Sequence, residues 1–478
     1  MKVVLTRIAS WMRVSHPHPE NVMAPISLGY AAAEARRRGH GALILDTELG
    51  GWTFESLKRT ILEECPDLLV VESLTPSWDG VRMLARDLRD DGMKAGILAV
   101  GQQASCDPDG LVGTGIDAAA IDEFDRTVAD VADALEGHRG LDAVPGLYLL
   151  AERLSPVRTA DRPFIQDLDS LPMPPHAELV PRPYRVHHPV GVPRRLRWGF
   201  ILSSRGCPYR CVYCSPTLRN SFHRNLRTRS AASVIEELRV LRSVGATVVH
   251  FKDDTFTLDR GRVEELCEQM IRQDVRLPFT VQTRCDAVDE PLLRLMARAG
   301  LRTVSLGVES GSPRILDLME KGETVSQARA AFAAAHAAGV RTVGYFMLGF
   351  PSETREEMQA TLDLCRDLQP DVVQVAFFTP YPGSPAWEQL VGPDASRESK
   401  RPFAHHYNAD ATWSSVDPAE IRAMQRRFYL GYMLSPRVHL RYLARKGLVC
   451  QVLNADIELD FYWKSFRFLL AGITGRHS

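Results

Sequence analysis

The 478-residue chain has no uninterrupted apolar stretch near the ~20 residues that a membrane span requires. Its N-terminus puts Arg7, Trp11 and Arg13 where a secretory leader would carry its apolar core. Neither sign of charge is in excess. The 58 basic and 59 acidic residues leave −1, which removes the long-range electrostatic case for nucleic acid as the main partner. Lysine is scarce, eight of those 58, a bias we read as genome composition rather than chemistry. Disorder requires low hydrophobicity with high net charge, and this chain is 45% hydrophobic. The expectation is a globular, cytoplasmic protein of about three domains. Nine cysteines in this length are no disulfide framework, and the cytosol would keep them reduced. Cys65, Cys106, Cys267, Cys285, Cys365 and Cys450 are scattered and read as small buried hydrophobes. Cys207, Cys211 and Cys214 are bunched.

Over 1–140, strand-like runs alternate with amphipathic stretches: VVLTRIA (3–9), LGYAAAEARRRG (28–39), ALILD (42–46), FESLKRTILEEC (54–65), DLLVVES (67–73), WDGVRMLARDLRDDG (78–92), AGILAVG (95–101) and DRTVADVADALEG (125–137). This rhythm predicts an α/β, doubly wound parallel sheet, which binds ligands beyond the carboxyl ends of its strands. The Pro- and Arg-rich stretch 141–197 reads as an extended connector, since Pro removes donors and restricts its neighbours. A second alternating series over 198–390 supplies six strand candidates: 199–205, 247–254, 279–284, 303–309, 342–350 and 372–380. Several of the intervening helical patterns stop at Gly. Six such units fit a partial (β/α)6 TIM-type barrel, with chemistry at the strand C-terminal ends. The remainder, 391–478, reads as a mainly helical cap with aromatic-rich stretches.

Directly after the first barrel strand comes RGCPYRCVYCSP, a Cys-x-x-x-Cys-x-x-Cys spacing. Three soft thiolates within eight residues can wrap one face of a cubane iron–sulfur cluster. Structural zinc sites want four protein ligands, and no second CxxC or HxxxH accompanies the trio; the nearest His is His223. With three ligands, one iron of a [4Fe–4S] cluster stays open.

This motif, with Tyr213 before its last Cys, resembles the radical S-adenosylmethionine (SAM) superfamily. HFKDDTFT (250–257), VQTRCD (281–286), GVESGS (307–312), MEKGET (319–324), GYFMLGFP (344–351) and TPYPGSP (379–385) resemble strand-end segments of its branch with an N-terminal cobalamin-binding domain. APISLGYAAAEARRRGH (24–40), CPDLLVVESLT (65–75) and PFIQDLDSLPMPPH (163–176) are similar to the rest of that branch's pattern. Two segments depart from it. A Gly-Gly-x-His-type turn is replaced by VGQQAS (100–105), and a Gly-Glu-Gly-Glu segment by AAAIDEFD (118–125). No Asp-x-His-x-x-Gly motif is present, so the resemblance implies no histidine on the lower face of cobalt; His16, His18 and His40 read as surface or capping residues.

The resemblance implies a cobalamin-dependent radical SAM enzyme. It would make a 5′-deoxyadenosyl radical and act, as a methyltransferase, on an unactivated carbon or phosphorus of a small biosynthetic substrate. An alternative is rearrangement, cyclisation or oxidation on the same scaffold; a third reading is an iron–sulfur sensor without turnover. An external electron donor of flavodoxin or ferredoxin type is implied. Cys207, Cys211 and Cys214 would hold the cluster. Tyr213, Asp253, Asp254, Arg284, Glu309 and Ser310 would contact SAM: an Asp the ammonium, Arg284 the carboxylate, Glu309 and Ser310 the ribose. The plainer readings are a turn cap for the two Asp residues, a rim ion pair for Arg284 and a local ion pair for Glu309. Ser73, Leu74, Thr75, Gly101 and Gln102 are the expected cobalamin contacts. Tyr381, Trp413, Phe428, Tyr429 and Tyr432 would either shape a substrate pocket or pack a core.

Overall fold

The computed structural model describes residues 1–9, 22–150, 156–186, 196–214, 224–392, 413–433 and 435. His16, His18, His223, Cys450 and most of the C-terminal stretch lie outside the described residues.

The first sheet has seven strands: β1 (Lys2–Arg7), β2 (Gly41–Asp46), β3 (Leu68–Glu72), β4 (Gly96–Val100), β5 (Ala118–Ala120), β6 (Leu147–Leu149) and β7 (Val157–Arg158). Their spatial order is β2-β1-β3-β4-β5-β6-β7. The first five are parallel, and β6 and β7 are antiparallel additions. Two of these strands fall within the stretch that reads as connector. Backbone pairing of β6 with β5 recruits them without a long apolar run. The helices are α1 (Ile26–Arg37), α2 (Phe54–Glu64), α3 (Trp78–Asp90), α4 (Gln102–Cys106) and α5 (Asp125–Glu136). Leu28, Ala31 and Ala32 of α1 pack with Val128, Val131 and Ala132 of α5 in one core, so the small-residue face of α1 is buried. Strands and helices cover both faces with separate apolar cores. In the order 2-1-3-4-5, β1 and β3 are neighbours whose connections leave in opposite directions, which opens a crevice at their carboxyl ends.

After α6 (His176–Leu179) come β8 (Trp198–Ile201), a short antiparallel pair β9 (Ser204–Arg205) and β10 (Arg227–Thr228), and α7 (Ala231–Ser243). The second sheet continues through β11 (Val248–Phe251), α8 (Arg260–Arg272), β12 (Phe279–Arg284), α9 (Glu290–Ala299), β13 (Leu301–Glu309), α10 (Pro313–Leu318), α11 (Val325–Ala337), β14 (Arg341–Leu348), α12 (Arg355–Leu368), β15 (Val372–Phe377) and α13 (Pro385–Leu390). Its order is β15-β14-β13-β12-β11-β8, parallel throughout. Val249, Phe251, Phe279, Val281, Val304, Leu306, Phe346 and Val375 turn their side chains to the helices and form the main core. The alternate positions Gln282, Gly307, Tyr345 and Gln374 are half-buried on the other face. α14 (Pro418–Met433) closes against α12 and β15. Ile421, Met424, Phe428 and Tyr432 join the main core, with Tyr429 packed against it. The plainer reading therefore holds for these aromatics. No described helix is long and apolar enough to cross a membrane.

A buried ionic strut joins the first domain to the β9–β10 pair. Arg205, two residues before Cys207, meets Asp125 through two bonds of 2.7 and 2.9 Å and Glu123 at 3.1 Å, with its guanidinium over the Tyr30 ring. Glu123 also accepts from Arg227 at 3.0 Å and from the Ile165 N–H at 2.8 Å. Asp122 has φ +64°, in the region that favours glycine. The segment that departs from Gly-Glu-Gly-Glu thus keeps a left-handed turn followed by two acids two residues apart, and those acids anchor the loop that carries the cysteines.

Candidate active site

The cluster motif leaves β9 and lies at the carboxyl ends of the barrel strands. Cys211 is buried, and Cys207 and Cys214 are half-buried; none is in a disulfide. The Cys214 N–H donates to the Cys211 carbonyl at 3.2 Å, and Val212 donates to Met319 at 3.0 Å, so the loop is tied to the turn after α10. Cys207 Sγ lies 3.9 Å from the Thr255 hydroxyl, and Cys211 Sγ lies 3.9 Å from an Arg284 N–H donor. Among the described residues, no three His, Cys, Asp or Glu side chains stand close enough to hold one metal ion. A cubane tolerates such a spacing, because each thiolate takes a different iron. The other described cysteines are of another kind. Cys267 and Cys365 are buried, and burial pushes both thiols up to about 12, which leaves them inert. Cys285 is also buried; Cys65 is exposed and Cys106 half-buried.

The two acids after β11 divide sharply. Asp253 has no exposed surface. Its oxygens accept from the Ser203 N–H (2.7 Å), the Ser203 hydroxyl (2.6 Å) and the Ser204 hydroxyl (2.6 Å), and Arg262 stands 3.5 Å away. The SAM role expected of Asp253 is corrected here: it is fully enclosed, and both of its oxygens knit the β8–β9 turn. Asp254 Oδ2 is buried with no hydrogen-bond partner. Burial first, then the Asp253 charge, pushes the Asp254 carboxyl up to about 7, against the Gly206 N–H that favours the anion. An orphaned acceptor next to the cysteine loop fits a cationic ligand group.

Arg284 is also corrected. Asp286 takes its Nε and one terminal nitrogen at 2.8 and 2.9 Å, and Glu323 approaches to 3.2 Å. The fork that would grip a carboxylate is already filled. Glu309 pairs with Lys321 at 3.4 Å. It has φ +64° at a register shift in β13, and a Cβ on Gly307 would sit 2.8 Å from its Oε1. The glycine is what admits that side chain. Ser310 is fully buried; its hydroxyl accepts from the Ser312 N–H at 3.1 Å and meets Thr361, so it shapes the turn and does not face a ribose. Tyr213 packs half-buried beside Val212, Ile315, Met319, Phe350 and Phe378, with Trp413 on the same cluster.

At the first sheet's edge, Ser73 and Thr75 are buried. The Ser73 hydroxyl donates to the Val100 carbonyl at 2.8 Å, and Thr75 donates to Gln103 Oε1 at 2.9 Å. These hydroxyls close the turn and do not face outward, so the cobalamin contacts expected of Ser73 and Thr75 are corrected as well. Gln103 of the departing VGQQAS segment is thus a strut, and Gly101, at φ +93°, brings the chain against the Ser73 backbone. Leu74, 37% exposed, and Gln102, half-buried, remain at the surface. His40 is buried against Asp133, as a capping residue would be.

Several residues of the site carry no sequence signal alone. Arg7, at the β1 end, holds Asp46 at 2.6 and 2.9 Å. Glu72, at the β3 end, and Lys252, just after β11, are both half-buried, and each feels the other's charge. Enclosure by the cleft raises the Glu72 pKa, offset by Arg7 and Lys252; it lowers that of Lys252, helped by Arg7 and opposed by Glu72 and Asp254. The carboxyl ends of β1 and β3 therefore lie within electrostatic reach of the residue after the barrel's second strand, two residues before Asp254.

Residues 201–365 match the model of the Radical SAM superfamily. The chain is 29% identical over 432 residues to an uncharacterized methyltransferase of Pyrococcus horikoshii, covering 87% of this chain and 89% of that protein. It superposes on the radical SAM methyltransferase TsrM of Kitasatospora setae, solved with cobalamin and a [4Fe–4S] cluster, with a TM-score of 0.69 at 20% identity, covering 92% and 90% of the two chains. It superposes on the cobalamin-dependent SAM radical enzyme OxsB with a TM-score of 0.70 at 16% identity, covering 95% and 74%. Residues 201–365 therefore carry the radical SAM match, and the chain has, over most of its length, the two-part fold seen in TsrM and OxsB.

Proposed function

We propose that this protein is a cobalamin-dependent radical SAM methyltransferase that acts on carbon in a small molecule. The superfamily match over residues 201–365 implies a [4Fe–4S] cluster, SAM, an external reductant and a substrate. One observation carries the finer reading: Arg7 and Glu72, paired at the carboxyl ends of β1 and β3, lie within electrostatic reach of Lys252, and Lys252 within reach of Asp254 beside the cysteine loop. Two cofactor sites in one cleft suit a substrate handled by both. When bound, the cluster supplies the electron that turns SAM into a radical source, and cobalamin supplies a methyl carrier.

The chain's own residues hold and enclose. Cys207, Cys211 and Cys214 offer the thiolates. Asp254 offers its orphaned oxygen to the SAM ammonium, where a charge-assisted bond would return the carboxyl to its anionic form. Tyr213 packs at the adenine end and Glu309 faces the ribose side. Leu74, Gly101 and Gln102 border the corrin, with Gly101 letting the backbone approach. Arg205 and Arg227 clamp the two halves so that the crevice and the loop keep one spacing.

Anaerobic reconstitution with and without hydroxocobalamin, followed by SAM and dithionite, tests the reading. We expect retained cobalamin, and 5′-deoxyadenosine with S-adenosylhomocysteine in comparable amounts. With the substrate added, deoxyadenosine without S-adenosylhomocysteine would overturn methyl transfer in favour of rearrangement, cyclisation or oxidation.

A further inference from the structure

Arg284 is 5% exposed and held on four sides. Asp286 takes Nε and one terminal nitrogen, and Glu323 takes Nε. The Tyr209 ring, from the cysteine loop itself, lies 3.5 Å below the guanidinium. The other terminal nitrogen points at Cys211 Sγ, 3.9 Å away. Glu323 is fixed in turn by the Cys285 N–H at 3.0 Å and lies near Lys321 at 3.8 Å. None of this is needed to bind a SAM carboxylate, and the filled fork prevents it. The arrangement does one other thing well: it keeps a cation that cannot lose its proton at a fixed place beside one thiolate of the trio.

We propose that Arg284 is a positioning residue that raises the reduction potential of the cluster, with Tyr209 as its platform; the inference rests on the cysteine assignment above. Reduction adds one negative charge to a cluster already surrounded by thiolates. Hydrogen bonds to the sulfurs and local net charge set what that costs. A buried guanidinium aimed at Cys211 favours the reduced state. Asp286 and Glu323 temper its field but hold it still. The stacked ring prevents the cation from swinging out when the SAM carboxylate arrives. The residue therefore acts on the electron's entry and not on substrate.

The test is an EPR-monitored redox titration of the reconstituted, SAM-free protein, with cluster type and content checked by Mössbauer spectroscopy. In a loaded Arg284→Gln variant we expect a more negative midpoint. At the wild-type midpoint, the ratio of reduced to oxidised cluster should fall at least tenfold, about 59 mV for one electron. Arg284→Lys keeps the cation without the fork and should fall between. Tyr209→Leu, on a half-buried loop position, should move the midpoint the same way by less, and it carries the test if Arg284→Gln does not load. A loaded Arg284→Gln with the wild-type midpoint, or a Tyr209→Leu with that midpoint if it carries the test, overturns the inference alone. A wild-type chain that takes up no cluster overturns the cysteine assignment as well.

Discussion

Replacing Glu123 with Ala probes the strut between the two domains. Glu123 is buried and accepts three hydrogen bonds: from Arg205 at 3.1 Å, Arg227 at 3.0 Å and the Ile165 N–H at 2.8 Å. In Glu123→Ala, Arg205 keeps its two bonds to Asp125. Arg227 loses its carboxylate and keeps the Ile165 carbonyl at 2.8 Å and the Phe164 ring at 5.2 Å, and the Ile165 N–H loses its acceptor. Leaving a buried charge without its partner costs about 3–5 kcal/mol. Equilibrium urea unfolding followed by far-UV circular dichroism should show that loss, concentrated in an early transition in which the first sheet undocks. Glu123→Gln keeps an acceptor but no charge, and should lose less. A loss in Glu123→Ala below about 1 kcal/mol, the range of exposed pairs, would refute the reasoning, because it would mean that water already reaches the strut.

Gly311→Ala places a Cβ 2.4 Å from the Ala360 carbonyl oxygen and 2.7 Å from the Thr361 nitrogen, so α12 must shift; a loss of about 1–3 kcal/mol is expected in thermal unfolding. Glu353 is fully buried, and burial pushes its carboxyl up to about 7, with the Gly349 and Phe350 N–H groups partly opposing. The folded state then keeps a proton that the unfolded chain, near the ordinary 4.5, releases. This contribution is fully present below pH ~4.5 and is lost as pH rises to about 7. Glu353→Gln should therefore be more stable than wild type at pH 8 but not at pH 4, read by urea midpoints. Cys211→Ala should abolish reductive SAM cleavage while the first domain stays folded. Cys65→Ser, at an exposed position, should leave turnover largely intact; a large loss there would mean the cysteines were sorted wrongly.

The strand and helix pattern was legible wherever apolar periodicity was long. FTVQTR became β12 residue for residue, and REEMQATLDLCRDL became α12. What escaped were elements without a run of their own. β5 is three alanines, and β6 and β7 exist because β5 offers them a pairing edge. The cysteine trio was legible because three soft ligands in eight residues have few other uses. Its surroundings were not. Asp253 and Asp254 are chemically identical neighbours, and only the Ser203 and Ser204 donors decide which is consumed. Arg284 read as a carboxylate fork with a rim ion pair as the plainer alternative, and the alternative holds: Asp286 and Glu323 close on it from a turn and from the segment after α10. AAAIDEFD looked like a loss of pattern. The fold shows that Glu123 and Asp125 keep the acid spacing and that Asp122 takes the strained turn.

The central claim is that Cys207, Cys211 and Cys214 hold a cluster able to cleave SAM. Its most direct test is to reconstitute the protein anaerobically, add SAM and dithionite, and quantify 5′-deoxyadenosine for wild type and Cys211→Ala side by side. The account predicts dithionite-dependent product from wild type and none from the variant. Product that persists in Cys211→Ala, or its absence from a fully loaded wild type, would contradict it.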